Sequence, residues 1–198
     1  GFNSSMEKQK AEARANWSGS GDAASEAVWF SVFDRAGPTE FIGYENLTAE
    51  GVVQSIVQDG AEVKSANEGT KVDLVFNQSP FYAEMGGQVG DSGQVVFENG
   101  AIVKIGSVSK KVGGLFVHHG TVSNGSFALG DTARLDVNST RRSSISRNHS
   151  ATHLLHEGLR QVLGEQVAQK GSLVSADRLR FDFSHQKSIS ADELATIE

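Results

Sequence analysis

Cysteine is absent from the 198 residues. That excludes disulfides and thiolate metal ligands within the chain, and it fits a cytosolic origin. Proline occurs only twice, against 22 glycines. Turns must therefore come from glycine, and with many short runs of Val, Ile and Phe the composition points to a turn-rich β protein. No apolar run approaches the ~18 residues needed to cross a bilayer. No signal peptide is recognisable at the start. The chain opens Gly1-Phe2-Asn3 without methionine and stops at Ala195-Thr196-Ile197-Glu198, within the start of a helical pattern. Both ends suggest a piece of a longer protein.

Basic charge is also in short supply, since the net charge is −6. This argues against a general nucleic-acid footprint. The deficit is uneven, however: residues 1–140 carry 10 basic and 17 acidic groups, whereas residues 141–187 carry eight and four. A polyanion would meet the second region, where Arg141, Arg142, Arg147 and Lys170 lie. Chance scatter is the alternative.

Residues 2–16 favour a surface or connecting helix, because only Phe2, Met6 and the alanines offer an apolar stripe. Ser18 to Asp22 reads as a flexible joint. From about 27 to 138 the pattern changes to short strands. They are expected at Val28–Phe33, Gly51–Val57, Val72–Phe76, Gln94–Phe97, Ala101–Ile105, Leu115–Val122 and Thr132–Val137. Asn99-Gly100 signals a hairpin with a type I′ turn. Many strands at short spacing predict a small closed β-barrel over 23–138, since closure removes exposed edges.

Residues 141–163 return to helical spacing, with Ile145, Leu154, Leu155, Leu159, Val162 and Leu163 on one side and Gly164 as a stop. A strand over Gln166–Val174 follows. Next, Arg178–Phe183 alternates so that Leu179, Phe181 and Phe183 share a face. Ser190-Ala191-Asp192-Glu193 is a capping box that starts another helix. The fold class is mainly β with α+β: a linker helix and joint (1–22), the barrel (23–138) and an incomplete α+β unit (139–198).

Two stretches carry chemistry. In N-H-S-A-T-H-L-L-H (148–156), His149 and His153 stand one helical turn apart and can offer two imidazoles to one ion. Zinc wants four donors. The metalloprotease pattern fails, because Ser150 stands where its Glu is required. His156 ranks as packing or surface, and His118 and His119 give no ligand pattern. A helix with solvated or core histidines remains the alternative. The second stretch, F-Y-A-E-M-G-G-Q-V-G-D-S-G (81–93), is not a phosphate P-loop, since no Gly-Lys-Ser/Thr follows. It is either a barrel corner of glycine kinks or a loop whose bare amides touch an RNA end.

Taken together with V-A-Q-K-G-S-L-V (167–174) and R-L-R-F-D-F-S-H (178–185), these stretches closely resemble the alanyl-tRNA synthetases, in order and over nearly the whole chain. Gly1 to Arg14 resembles the segment that follows that family's aminoacylation and tRNA-recognition portions. Free-standing trans-editing deacylases share the barrel and histidine motifs but not this helix. Threonyl-tRNA synthetase editing domains share the histidine helix but not the glycine-rich segment.

The resemblance implies that residues 139–198 are the first part of an editing domain. It makes His149 and His153 two of four Zn2+ ligands, the other two coming from a Cys-x-x-x-His pair absent from this chain. It marks Gln169 as an editing-site residue and places Gly86, Gly87 and Gly90 in a loop facing the same cleft. Arg141, Arg142, Arg147 and Lys170 are candidate phosphate contacts on the ground of their charge alone. The implied partner is tRNA(Ala), including mischarged forms, with neither membrane nor DNA, in the cytoplasm. ATP and Mg2+ would serve only an aminoacylation domain absent here. A non-catalytic tRNA-binding or structural barrel is the competing reading.

Overall fold

The computed structural model describes residues 23–198, with side chains from 27 onward; the helix expected over 2–16 and the joint at 18–22 lie outside the described residues. The first described element, α1 (Ala23–Ala36), corrects the strand expected at Val28–Phe33. β-branched and aromatic residues there favour a strand by propensity, but their spacing serves a helix face. Trp29 and Val32 are buried against Val57, Val75, Leu115 and Val117, with Val28, Phe33 and Ala36 packed beside them. Tertiary burial overrides the propensity. Gly37, at φ 73°, ends the helix by donating its N–H to the Phe33 carbonyl (2.9 Å).

The barrel strands alternate inward and outward as a closed sheet requires. Short β1 (Glu40–Phe41) precedes the long β2 (Thr48–Gln58), then β3 (Ala61–Glu62), β4 (Ser65–Asn67), β5 (Lys71–Phe76) and β6 (Gln78–Ser79). After the glycine-rich segment come β7 (Gly93–Phe97), β8 (Ile102–Lys111), β9 (Leu115–Asn124), β10 (Ser126–Ala128) and β11 (Thr132–Val137). Six of these pair in the order β11-β7-β8-β9-β5-β2, and β11 returns to pair antiparallel with β2, closing the barrel. Phe76, Leu74, Val95, Val103 and Leu135 fill the interior. On β2, a bulge between Val53 and Ser55 shifts the inward parity. Val53 and Ile56 therefore both point inside while Val57 faces α1. The Asn99-Gly100 hairpin is present, but only Gly100 takes positive φ (85°), so the turn is not type I′. Gly100 N–H bonds the Phe97 carbonyl at 3.0 Å.

One buried polar group interrupts this interior. His118 on β9 is fully enclosed, between the edges of Phe76 and Phe81. Its Nδ1 lies 3.1 Å from the Leu74 carbonyl, which only accepts, so Nδ1 carries the hydrogen. Nε2 then accepts from the Ser79 hydroxyl at 2.7 Å, and Ser79 Oγ in turn accepts from the Phe81 N–H. Every polar atom of the neutral ring is satisfied.

Past the barrel, α2 (Ser139–Leu163) begins at Asn138, whose side chain caps the Arg141 N–H at 3.0 Å. An antiparallel hairpin, β12 (Ala168–Val174) with β13 (Leu179–Ser184), packs on it. The short α3 (Ala191–Ile197) opens on the expected capping box at Ser190. Leu159, Leu163 and Val167 form a small core with Phe181 and Phe183. Leu154, expected on the apolar side, is instead 74 % exposed, one position round the helix from that core. No helix among the described residues is long and apolar enough to cross a membrane.

Candidate functional site

The site forms where the glycine-rich segment, α2 and β12 meet. Helical spacing turns Arg142, Ile145, His149, Thr152, His153 and His156 toward the other two elements. Ile145 is completely buried, and the Asn148 amide ties the helix to the Ser175 carbonyl at 2.8 Å. At the foot of the helix, Arg141 donates to the Gly90 carbonyl (2.8 Å). Arg142 pairs through Nε and Nη2 with both carboxylate oxygens of Asp91, and also donates to the carbonyls of Gly43 and Pro80, each at 2.9 Å. Asp91 is only 2 % exposed and further accepts the Tyr82 N–H. The Arg142 guanidinium, expected at a phosphate, is thus occupied in fastening the helix to the barrel loop. Arg147 is exposed and bonds Ser144, and Lys170 is exposed on β12.

The glycine-rich segment reaches across to the hairpin. Val89 N–H donates to the Val174 carbonyl (3.0 Å), and Val174 N–H to the Gly87 carbonyl (2.8 Å). Gly87 needs to be glycine on two counts: its φ is 84°, and a Cβ would collide with the Ser172 carbonyl. Gly90 is pressed in the same way against the Val108 backbone. Replacing Gly87 with alanine is expected to cost about 2 kcal/mol, from left-handed strain and the clash. Amide exchange at Val89 and Val174 should speed up with it; unchanged protection there would refute the docking role of this glycine.

Gln169 reaches the site through a bulge. The register of β12 shifts between Gln169 and Gly171, leaving Lys170 as the extra residue. Strict alternation would turn Gln169 away from Ser172 and Val174; the bulge restores it to their face. It lines a pocket of about 220 Å³ with Gly86, Gln88, His149, His153, His156 and Ser172 among its walls. Tyr82 closes one side, and burial, with Tyr44 and Asp91 nearby, pushes its phenol pKa up.

Within the pocket the imidazoles of His149 and His153 lie 4.9 Å apart between centroids, with their Nε2 atoms 3.0 Å from each other. The other nitrogen of His149, Nδ1, is 2.7 Å from Gln88 Oε1. Ring nitrogens that converge in this way are candidates for two neighbouring ligands of a divalent ion of the zinc type, which takes four. Among the described residues no group of three or more His, Asp or Glu is placed to hold a metal ion. His156 packs its ring on Phe181 (4.9 Å), and its Nε2 is buried without a partner among the described residues.

Of the residues marked from sequence, the fold brings Gly86, His149, His153 and Gln169 to one pocket; Gly87 and Gly90 hold the loop, and Arg141 and Arg142 anchor it. Gln88 and Asp91 were missed as individual residues. The only signal was a polar side chain following the glycine pair and an acid inside a run otherwise read as backbone.

The family model for class II (A) tRNA synthetases matches residues 1–141, and the chain belongs to that family. Its full length is similar to alanine–tRNA ligases: 58 % identical over 197 residues to that of Rhodopseudomonas palustris, 58 % over 198 to that of a Chelativorans species, and 55 % over 197 to that of Bradyrhizobium diazoefficiens. The chain spans 22 % of the length of each of these relatives.

Proposed function

We propose that the chain is the barrel and the first part of the editing domain of an alanyl-tRNA synthetase, and that its pocket receives the amino acid of mischarged tRNA(Ala). The carrying observation is the convergence of His149 and His153 Nε2 at 3.0 Å in a small pocket that Gln169 also lines. A cavity of about 220 Å³ has room for a seryl or glycyl group.

The energetic need is plain. A synthetic site shaped for alanine gains only ~1–3 kcal/mol of discrimination from one methyl or one hydroxyl, roughly 10- to 200-fold. A second site that hydrolyses Ser-tRNA(Ala) and Gly-tRNA(Ala) makes up the difference. His149 and His153 would hold a zinc ion together with a Cys-x-x-x-His pair elsewhere in the parent protein. When bound, zinc supplies Lewis acidity and a fixed point of positive charge. Gln169, brought in by the bulge, offers an amide to the amino group or ester of the acylated 3′ end. Met85, Gly86 and Gln88 of the loop wall the pocket. Of the four cations marked from sequence, Arg147 and Lys170 are the two that are exposed, and they would meet phosphate.

The test is hydrolysis of Ser-tRNA(Ala) by the full-length protein that carries these residues. Gln169→Ala is expected to slow it about tenfold or more, as loss of one positioned hydrogen bond does. His149→Ala should abolish it, and the 198-residue chain alone should be inactive. Equal rates for the parent and both variants would sink the assignment. Salt-sensitive tRNA binding with no hydrolysis would instead favour a binding module.

A further inference from the structure

We propose that Gln88 is a positioning residue that fixes the tautomer and orientation of the His149 ring. The inference rests on the functional reading above for its consequence, but not for its geometry.

Gln88 Oε1 stands 2.7 Å from His149 Nδ1. An amide oxygen only accepts, so Nδ1 carries the ring hydrogen. In a neutral imidazole the other nitrogen, Nε2, then keeps its lone pair. That is the atom facing His153 Nε2 at 3.0 Å. The contact spans 61 residues of sequence and joins the glycine-rich loop to the histidine helix. A ligand histidine held through its second nitrogen by a neutral or charged oxygen is the general device for orienting such rings.

The backbone that carries this amide is held on both sides. Gln88 N–H donates to the Met85 carbonyl at 3.1 Å, and the Met85 N–H returns a bond to the Gln88 carbonyl at 3.2 Å. Gln88 also forms a parallel bridge with Val174, flanked by the two bonds that tie residues 87 and 89 to the hairpin. Its side chain therefore leaves from a backbone clamped by both the barrel loop and β12. Among the described residues His153 makes no such second hydrogen bond, so Gln88 acts on the pair through His149.

Two measurements separate this role from the functional reading. In the 198-residue chain, ring-nitrogen NMR of His149 at alkaline pH should show the hydrogen on Nδ1. Gln88→Leu should release the ring to a mixture of tautomers, and Gln88→Glu, which keeps an acceptor oxygen, should restore Nδ1–H. In the full-length protein, zinc affinity measured by chelator competition should fall about 10- to 100-fold in Gln88→Leu and recover in Gln88→Glu. An unchanged tautomer and affinity in Gln88→Leu would overturn the role while leaving the editing assignment standing. A changed tautomer in a parent protein that takes up no zinc at these histidines would uphold the role and defeat the assignment. If Gln88→Leu fails to fold, Gln88→Glu decides: loss of Nδ1–H in that variant overturns the proposal, and its retention supports it.

Discussion

Replacing Asp91 with alanine is expected to lower the stability of the chain by about 3–5 kcal/mol, read from urea unfolding. The carboxylate is 2 % exposed and accepts from Arg142 and from the Tyr82 backbone. Its removal leaves a guanidinium that is itself largely covered without a counter-charge, and orphans a backbone donor. The effect should be asymmetric. A double variant, Asp91→Leu with Arg142→Met, should regain part of the loss, since two apolar groups carry no desolvation penalty. It should not regain all, because the Gly43 and Pro80 carbonyls would lose their donor. A loss below about 1 kcal/mol for Asp91→Ala is what an exposed pair gives, and would show that burial here is not maintained in solution.

A second large effect is expected on acidification. Desolvation lowers the pKa of His118 from the usual 6.5 to about 4, with its hydrogen bond to the Leu74 carbonyl opposing only in part. The folded state thus refuses a proton that the unfolded chain accepts. The corresponding stability is fully present above pH 6.5 and is lost progressively as the pH falls toward 4. The loss amounts to about 3 kcal/mol over that window. Protonation would also put a second hydrogen on Nε2, facing the hydroxyl hydrogen of Ser79. Gln at position 118 can donate to Leu74 and accept from Ser79 without titrating. His118→Gln should therefore flatten the stability profile between pH 6.5 and 4 relative to the unaltered chain. Parallel profiles would mean that water reaches this ring.

How much of this was legible beforehand depended on the range of the interaction. β5, β11 and the hairpin strands announced themselves through strict alternation over a few residues, and the capping box at Ser190 through two side chains three apart. Val28 to Phe33 misled because strand propensity is local, whereas burial on β2, β5 and β9 is not. The histidine spacing was visible and the rings do converge. The roles of Arg142 and Asp91, 51 residues apart, were not visible: a charge on a basic segment looks alike whether it faces a phosphate or a buried carboxylate. Gln169 could be marked only by resemblance. The bulge that turns it inward depends on pairing with β13, and no pattern within V-A-Q-K-G-S-L-V reveals an extra residue.

The fastening of α2 at its foot has a mechanical consequence. Arg142 and His149 are seven residues apart, about 10 Å along the axis. The helix is held at its foot by the Asp91 pair and again at Asn148, one residue before His149, so the position of the imidazoles depends on both fastenings. A tilt of about 5° would swing them by about 1 Å, a displacement able to cost a catalyst about a hundredfold. Gly43 sits at the foot of the helix, with its carbonyl on Arg142 and no room for a methyl group beside Pro80. A loop 99 residues upstream of its arginine partner thereby helps to set where the histidine helix lies.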